Sequence, residues 1–274
     1  MDGSTVDLDA YCARVGYSGP RAPTIETLRA LHALHPAAIA FENIDVLLDR
    51  GVDLDPAAVD AKLIDRRRGG YCYEQNGLFK RVLSAIGFEV TGLAARVLWN
   101  APSDAPPRPR THMALRVMIG DDDWLADVGF GGCVATAPLR LAAKGPQPTG
   151  HEQFRIAPLA DELLVEARTG DWTSLYSLSL EPMLDVDYQL GNWFVSAHPS
   201  SPFRHDLMVS RVDAGARYTL SDNRLTVRMA DGAIARRRLD PDQLEQVLAE
   251  TFGLPVEPDW RPVIERAARG GGAL

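Results

Sequence analysis

The sequence predicts an α+β chain built in three successive parts: helical first, then a run of antiparallel strands, then mixed helix and strand. Three observations carry this. Apolar residues recur at helical spacing up to Gly87, the period drops to two beyond it, and both patterns appear again after Asp185. The parts span residues 1–87, 88–185 and 186–274.

Leu8, Tyr11, Cys12 and Val15 form the stripe of a short amphipathic helix. Ile25, Leu28, Leu31 and Leu34 recur every three residues in a second, which Pro36 is expected to close. Asp55-Pro56 reads as an N-cap followed by a first-turn proline, with Val59 and Leu63 on the buried side. Gly69-Gly70 breaks the chain. A helix then runs from about Cys72 to Gly87 on Phe79, Val82, Leu83 and Ile86.

Strands are expected at 88–99, 111–119, 124–130, 152–157, 162–168 and 172–180, with loops at 101–110 and 144–150. So many in succession suggest a small barrel or strongly curled sheet. Asp185 is placed as the cap of a helix over 186–197. Strands return at 206–212, 217–221, 224–229 and 233–239, with Asp231-Gly232 as a two-residue hairpin turn. Asp240, Pro241 and Gln243 open a helix carrying Leu244, Val247 and Leu248 that ends at Gly253. The tail from Arg266 reads as frayed.

A net charge of −8 speaks against general affinity for nucleic acid or anionic membranes. The basic triplets Arg66–Arg68 and Arg236–Arg238 read as solvated faces. Three widely spaced cysteines exclude a disulfide framework and a CxxC metal site, and fit a reducing cytoplasm. The acidic start MDGSTVDLDA is no secretory signal, and no apolar run approaches the ~18 residues of a membrane span.

Cys72 is the residue of chemical interest. It follows the glycine pair and opens a helix, whose N-terminal partial positive charge favours an anion. A thiol nucleophile needs a base and a group that orients the base. Among six histidines, His32 and His35 read as decoration of a helix's polar face, and His151, His198 and His205 as surface loop residues. His112 opens a strand on the face opposite Met113, Leu115 and Val117, where an imidazole can face a cleft. Asp127, amid the apolar WLADVGF, is the candidate orienting carboxylate, with a structural ion pair as the alternative. Direct pairing of the two would centre the hairpin on Ile119-Gly120, whereas the turn residues favour a register shifted by one or two. The glycines of VGFGG (128–132) let backbone approach a ligand, or merely make a turn.

Taken together, RGGYCYEQN (68–76), THMAL (111–115) and DVGFGG (127–132), with AFENID (40–45) and NWFVSAHPSSPF (192–203), resemble the arylamine N-acetyltransferase family, bacterial type. The resemblance implies an N-terminal helical bundle, a central antiparallel β-barrel and a C-terminal α/β lid, with a papain-like Cys-His-Asp arrangement. It implies acetyl transfer from acetyl-CoA to arylamines, arylhydroxylamines or arylhydrazines, by a ping-pong route through an acetyl-cysteine and without a metal. Cys72 would be the nucleophile, His112 its base and Asp127 the orienting carboxylate. Phe41, Val97, Phe130 and Phe203 would surround the acceptor, with Tyr71 at the edge. Thr111, Gly129 and Gly131 are assigned to coenzyme A, for whose phosphates no cationic clamp stands out. Arg68 and Glu42 would form a buried ion pair holding the glycine turn, and Cys12 and Cys133 would be structural. Competing readings are a thiol hydrolase or thioesterase with the same three residues, and an amide synthase using a carrier-bound thioester. The sequence sets no oligomeric state.

Overall fold

The computed structural model describes residues 5–102, 104 and 106–270. The first four residues of the acidic start, 103 and 105 in the Pro-rich loop, and 271–274 of the tail lie outside the described residues. Helices α1 (Leu8–Val15) and α2 (Ile25–Ala38) come first, followed by the two-residue strand β1 (Phe41–Glu42) and helix α3 (Ile44–Leu47). Pro36 does not close α2. It lies in the last turn, where its missing N–H costs one bond, and Ile39 N still reaches His35 O at 2.8 Å. Helix α4 (Pro56–Asp60) starts under the Asp55 cap and continues as a π-helical turn, Ala61–Asp65. Helix α5 (Cys72–Ile86) ends at Gly87, whose φ of 104° places it in the left-handed region.

Strands β2 (Glu89–Val97), β3 (His112–Ile119), β4 (Asp122–Ala126), β5 (Leu139–Arg140), β6 (Gln147–Pro148), β7 (Gln153–Leu159), β8 (Glu162–Arg168) and β9 (Trp172–Leu178) form one antiparallel sheet. Its order is β5-β4-β3-β2-β9-β8-β7-β6, a nearly closed, barrel-like body. Gln147, expected in a loop, bridges the two edges. Its Oε1 accepts from Arg140 N at 2.7 Å and its Nε2 donates to Arg140 O at 3.1 Å. The strand expected at 124–130 stops at Ala126, because the next two N–H groups leave the ladder. Asp127 N goes to His32 and Val128 N to Asn76.

Helix α6 (Tyr188–Ala197) starts later than expected, and Asp185 does not cap it but pairs with Lys80 at 2.6 Å. Strands β10 (Met208–Val212), β11 (Ala216–Ser221), β12 (Arg224–Met229) and β13 (Ile234–Arg238) extend β1 into a five-stranded sheet. Between β12 and β13 the loop is one residue longer than expected: Met229 N bonds Ala233 O, and Gly232 takes a φ of 91°. Helices α7 (Pro241–Glu250) and α8 (Arg261–Ala268) cover one face. Arg266–Ala268 are thus helical, not frayed, because Val263, Ile264 and Ala267 are buried.

The cores explain how these layers adhere. Leu28, Leu31, Phe79 and Val82 pack with Met113, Leu115, Val117 and Ala126, so the helices and the β3–β4 hairpin share one apolar interior. Leu93, Ala95, Ala114, Leu125, Phe154 and Val165 fill the barrel. Val209, Leu220 and Leu225 bury against Leu244, Leu248, Trp260 and Ile264. Strand alternation therefore sends Met113 and Leu115 toward the helices and leaves His112 and Ala114 on the barrel side. No helix among the described residues is long and apolar enough to cross a membrane.

Candidate active site

Cys72 is the first residue of α5, and the chain before it is pressed flat. Gly70 bridges Phe41, with Glu42 N to Gly70 O at 3.1 Å. A Cβ at Gly69 would lie 2.2 Å from Ala40 O, so no larger residue fits there. Glu74 caps the helix from within, its Oε2 accepting Tyr71 N at 2.9 Å, while Oε1 meets Lys62 Nζ at 2.7 Å. Lys62 also meets Asp45 Oδ2 at 2.7 Å. Arg68 reaches Glu42 Oε1 at 2.8 Å and Asp45 Oδ1 at 3.1 Å, and lies over the Trp260 ring at 4.6 Å. Arg68 is therefore buried, not part of a solvated triplet, and its pair with Glu42 is the one expected. Burial pushes the Glu74 carboxyl above its usual range, since Lys62 offsets only part of the desolvation.

Cys72 is nearly buried, with its thiol 3.7 Å from Thr111 O. His112, next along, presents Nε2 to Asp127 Oδ2 at 2.7 Å. The register between them follows from the hairpin. Ile119 faces Asp122 and Leu115 faces Ala126, so the turn is Gly120-Asp121 and Asp127 stands across from Ala114. The imidazole thus reaches its carboxylate diagonally, at a shift of two residues. The Cys72 thiol is also among the groups that raise the His112 pKa, so the two side chains lie close.

Electrostatics hold this arrangement charged. Burial would lower the His112 pKa, but the Asp127 charge, its hydrogen bond and the Cys72 contact outweigh it and raise it to about 10. Burial likewise works against the Asp127 charge. His112, Asn76 and the Gly129 N–H more than offset it and keep the carboxyl below its usual range.

The support around Asp127 goes beyond what the sequence predicts. Asn76 Nδ2 donates to Asp127 Oδ1 at 2.9 Å and to Met113 O at 2.7 Å, while its Oδ1 accepts Val128 N at 3.0 Å. His32 is no surface decoration: it is fully buried and its Nε2 accepts Asp127 N at 3.1 Å. His35 is fully buried too, between Tyr11 OH at 2.9 Å and Gln75 Oε1 at 2.6 Å. Burial lowers their pKa values to about 4 and about 3, so both rings are neutral near pH 7. The one signal in the sequence is the polar run Glu74-Gln75-Asn76. Three consecutive polar residues after a helix-opening cysteine cannot all face water. His151 also differs from expectation: it is half-buried, and both ring nitrogens are enclosed without a hydrogen-bond partner among the described residues.

One aromatic group packs on the imidazole, and a second gathers around Tyr71, the residue before Cys72. Phe130 lies 5.3 Å from His112 and 5.2 Å from Tyr176, and Tyr176 stands across from Val97 on β2. Trp99 meets Phe130 at 6.2 Å. Phe203 lies 6.1 Å from Phe41 and 5.8 Å from Tyr71. Tyr71 has no exposed surface and gives its hydroxyl to Asn192 Oδ1, so it backs Phe203. A Cβ at Gly129 would meet Asn76 Nδ2 at 2.8 Å and Cys72 Cα at 2.9 Å, and Gly131, at φ 79°, rests on the Phe41 ring. Cys12 is buried, and burial pushes the Cys133 thiol up to about 12. Among the described residues no three His, Cys, Asp or Glu side chains gather as a metal site requires.

Comparison with known proteins agrees across nearly the whole chain. Residues 24–261 match the family described as N-acetyltransferase. The arylamine N-acetyltransferase of Mycolicibacterium smegmatis is 42% identical over 254 residues, 91% of this chain and 92% of that one. The arylamine N-acetyltransferase / N-hydroxyarylamine O-acetyltransferase of Salmonella typhimurium is 42% identical over 253 residues, 91% of this chain and 89% of that one. The structure of Mycobacterium marinum arylamine N-acetyltransferase in complex with CoA superposes with a TM-score of 0.91 at 41% identity, covering 96% of this chain and 99% of that one. Sequence and fold thus agree from the first helices to the last, and the chain is an acetyltransferase of the arylamine N-acetyltransferase family.

Proposed function

We propose that this enzyme moves an acetyl group from acetyl-CoA to arylamines, arylhydroxylamines or arylhydrazines by a ping-pong route through acetyl-Cys72. The observation that carries the reading is His112 held at 2.7 Å by Asp127, with the Cys72 thiol 3.7 Å from the carbonyl of the adjacent Thr111. The family membership and the CoA-bound relative support the donor.

In this reading the Cys72 proton already rests on the His112 ring before the donor arrives, and Sγ attacks the thioester carbonyl. Helix-opening N–H groups at Cys72 and Tyr73 have no carbonyl four residues back within the helix and are assigned to the developing oxyanion. The C–S bond to coenzyme A breaks, and His112 returns the proton to the departing sulfur. In the second half, the acceptor amine attacks the acetyl carbon, His112 takes its proton, and the Cys72 C–S bond breaks. Asp127 keeps the imidazole oriented throughout. Phe41, Val97, Phe130 and Phe203, backed by Tyr71, form an apolar cleft that suits a flat aryl ring and keeps water from the acetyl-cysteine. Thr111, Gly129 and Gly131 are assigned to the donor's arm.

In this reading residues 1–87 bring the nucleophile, 88–185 the base and carboxylate, and 186–274 a lid carrying Phe203. Three buried cysteines without a disulfide support a reducing compartment such as the cytoplasm.

The test is intact-protein mass spectrometry with acetyl-CoA alone. A gain of about 42 Da on Cys72, lost on adding an arylamine, is the expected result for covalent catalysis. Acetate released at one rate with and without arylamine would instead make the protein a thiol hydrolase.

A further inference from the structure

Helix α2 reaches the end of strand β4, and a histidine makes the contact. Main-chain groups alternate along a strand, and Asp123 O accepts Leu141 N on the β5 side, so the N–H of Asp127, four residues on, points the same way. Pairing with β5 stops at Leu125, and the sheet supplies no acceptor for that N–H. On the β3 side, pairing stops at Leu115 and Ala126, and the Asn76 amide joins Met113 O and Val128 N in place of the next ladder bonds. His32 Nε2, 3.1 Å from Asp127 N, is the acceptor that β5 does not provide.

This contact fixes the tautomer. Burial keeps His32 neutral near pH 7, and a ring nitrogen that accepts carries no proton, so the proton sits on Nδ1. His35, three residues on, is the reverse. Gln75 Nε2 donates to Ala40 O at 2.9 Å and Gly70 O at 3.2 Å, which leaves its Oε1 as an acceptor. His35 Nε2 therefore donates to Oε1 at 2.6 Å, and His35 Nδ1 accepts from Tyr11 OH at 2.9 Å. His35 is satisfied at both nitrogens. His32 Nδ1 is enclosed and has no hydrogen-bond partner among the described residues. A buried N–H without an acceptor is unfavourable. Packing does not account for it: phenylalanine would make the same edge-to-face contact with Phe79, centroids 5.9 Å apart, without the unpaired donor. What phenylalanine lacks is Nε2.

The bond falls on the residue that orients the imidazole. Asp127 Oδ2 holds His112 Nε2 at 2.7 Å, while Oδ1 accepts Asn76 Nδ2 at 2.9 Å and Gly129 N at 3.0 Å. We propose that His32 is a positioning residue for acyl transfer: by accepting the Asp127 N–H as an Nδ1-protonated ring, it sets the main chain from which the carboxylate reaches His112. The inference rests on His112 and Asp127 serving Cys72 as proposed above. One helix then locates both parts of the site. Through His35 and Gln75, α2 holds Gly70 in the turn before the nucleophile, and through His32 it holds the group that orients the base.

The first test reads the tautomer without turnover, by two-bond nitrogen–proton NMR correlation on the full chain isotopically labelled at histidine. The signal lost in His32→Gln belongs to His32, and in wild type at pH 7 it should show a neutral ring with its proton on Nδ1. A proton on Nε2, or on both nitrogens, overturns the proposal.

Kinetics then separates positioning from packing. His32→Phe keeps a ring and removes the acceptor, whereas His32→Gln returns an acceptor oxygen near the Nε2 position. His32→Phe should lower kcat ~10- to 100-fold, the scale of a misaligned catalytic group. KM for acetyl-CoA and for the arylamine should stay within ~2-fold, since the loss falls on the transition state. Iodoacetamide should label Cys72 at least ~3-fold more slowly at pH 7, and His32→Gln should bring both rates back to within ~3-fold of wild type. A histidine that only packs would shift the thermal midpoint and leave kcat and labelling unmoved, which overturns the proposal. If His32→Phe does not fold, His32→Met makes the same comparison with His32→Gln. Slower labelling in His32→Phe, in a protein whose wild type transfers no acetyl group to an arylamine, would leave the positioning role standing and overturn the transferase reading.

Discussion

Asn76 and Asp127 are joined across the helix–sheet boundary, amide nitrogen to carboxylate at 2.9 Å, and the same amide group also binds Met113 O and Val128 N. One side chain on α5 thus fixes where β4 ends, where the glycine loop begins and how the carboxylate meets His112. Replacing Asn76 by Ala removes all three bonds. The expected loss is about 2–4 kcal/mol of stability, since one partner is charged and the others are buried backbone. Turnover should fall more than donor KM rises, which steady-state kinetics and chemical denaturation check.

Stability should depend on pH through His112. Its pKa is about 10 when folded, against ~6.5 unfolded. The folded state holds the proton more tightly, so this stabilisation is complete below about pH 6.5 and is lost as pH rises through about 10. Asp127, whose folded pKa is lowered, contributes above its unfolded pKa and loses that contribution as pH falls through the folded value. The difference in unfolding free energy between wild type and His112→Gln should therefore be largest near pH 5–6 and vanish above pH ~10.

Cys72→Ser should abolish acetyl transfer, whereas Cys133→Ser should keep most of it. Cys133 is buried and its thiol is pushed up to about 12. Iodoacetamide labelling followed by peptide mapping should find Cys72 modified first, and more slowly in His112→Gln.

Two glycines near the thiol should respond in opposite directions. Gly77 lies inside α5, and a methyl added there would find no atom within 4 Å, so Gly77→Ala should stabilise by up to about 1 kcal/mol. Gly129→Ala would push a methyl into Asn76 and the Cys72 backbone. It should cut kcat at least ~10-fold, about 1.4 kcal/mol, as measured beside thermal unfolding.

Lys62 stands between Glu74 and Asp45 with little exposure. Lys62→Met leaves the Glu74 carboxylate buried without its cation and should cost about 3–5 kcal/mol. A second change, Glu74→Gln, should recover part of this in a double-mutant cycle, because the neutral amide still accepts Tyr71 N.

Periodicity makes most elements legible, since Met113, Leu115 and Val117 alternate as a half-buried strand must and Phe79, Val82 and Leu83 repeat as a helix must. It misleads where side chains take over backbone bonding. The strand expected through Asp127 ends because His32 and Asn76 capture the next two N–H groups, contacts between residues 95 and 52 positions apart. Cys72, His112 and Asp127 stand out because each interrupts a pattern: a glycine pair, a loop end, an apolar run. His32 and His35 do not, because a histidine facing another helix has the same spacing as one facing water. Arg224 and Arg238 belong to separate stretches of sequence, and strand register alone brings one opposite the other.

The apolar interior shared by α2, α5 and the β3–β4 hairpin has a bearing on biosynthesis. A growing chain exposes its sulfur some forty to fifty-five positions before the imidazole and carboxylate have been made, and the helices cannot finish packing until Met113, Leu115 and Val117 arrive. Completion of the scaffold and the meeting of Cys72, His112 and Asp127 are thus a single late event.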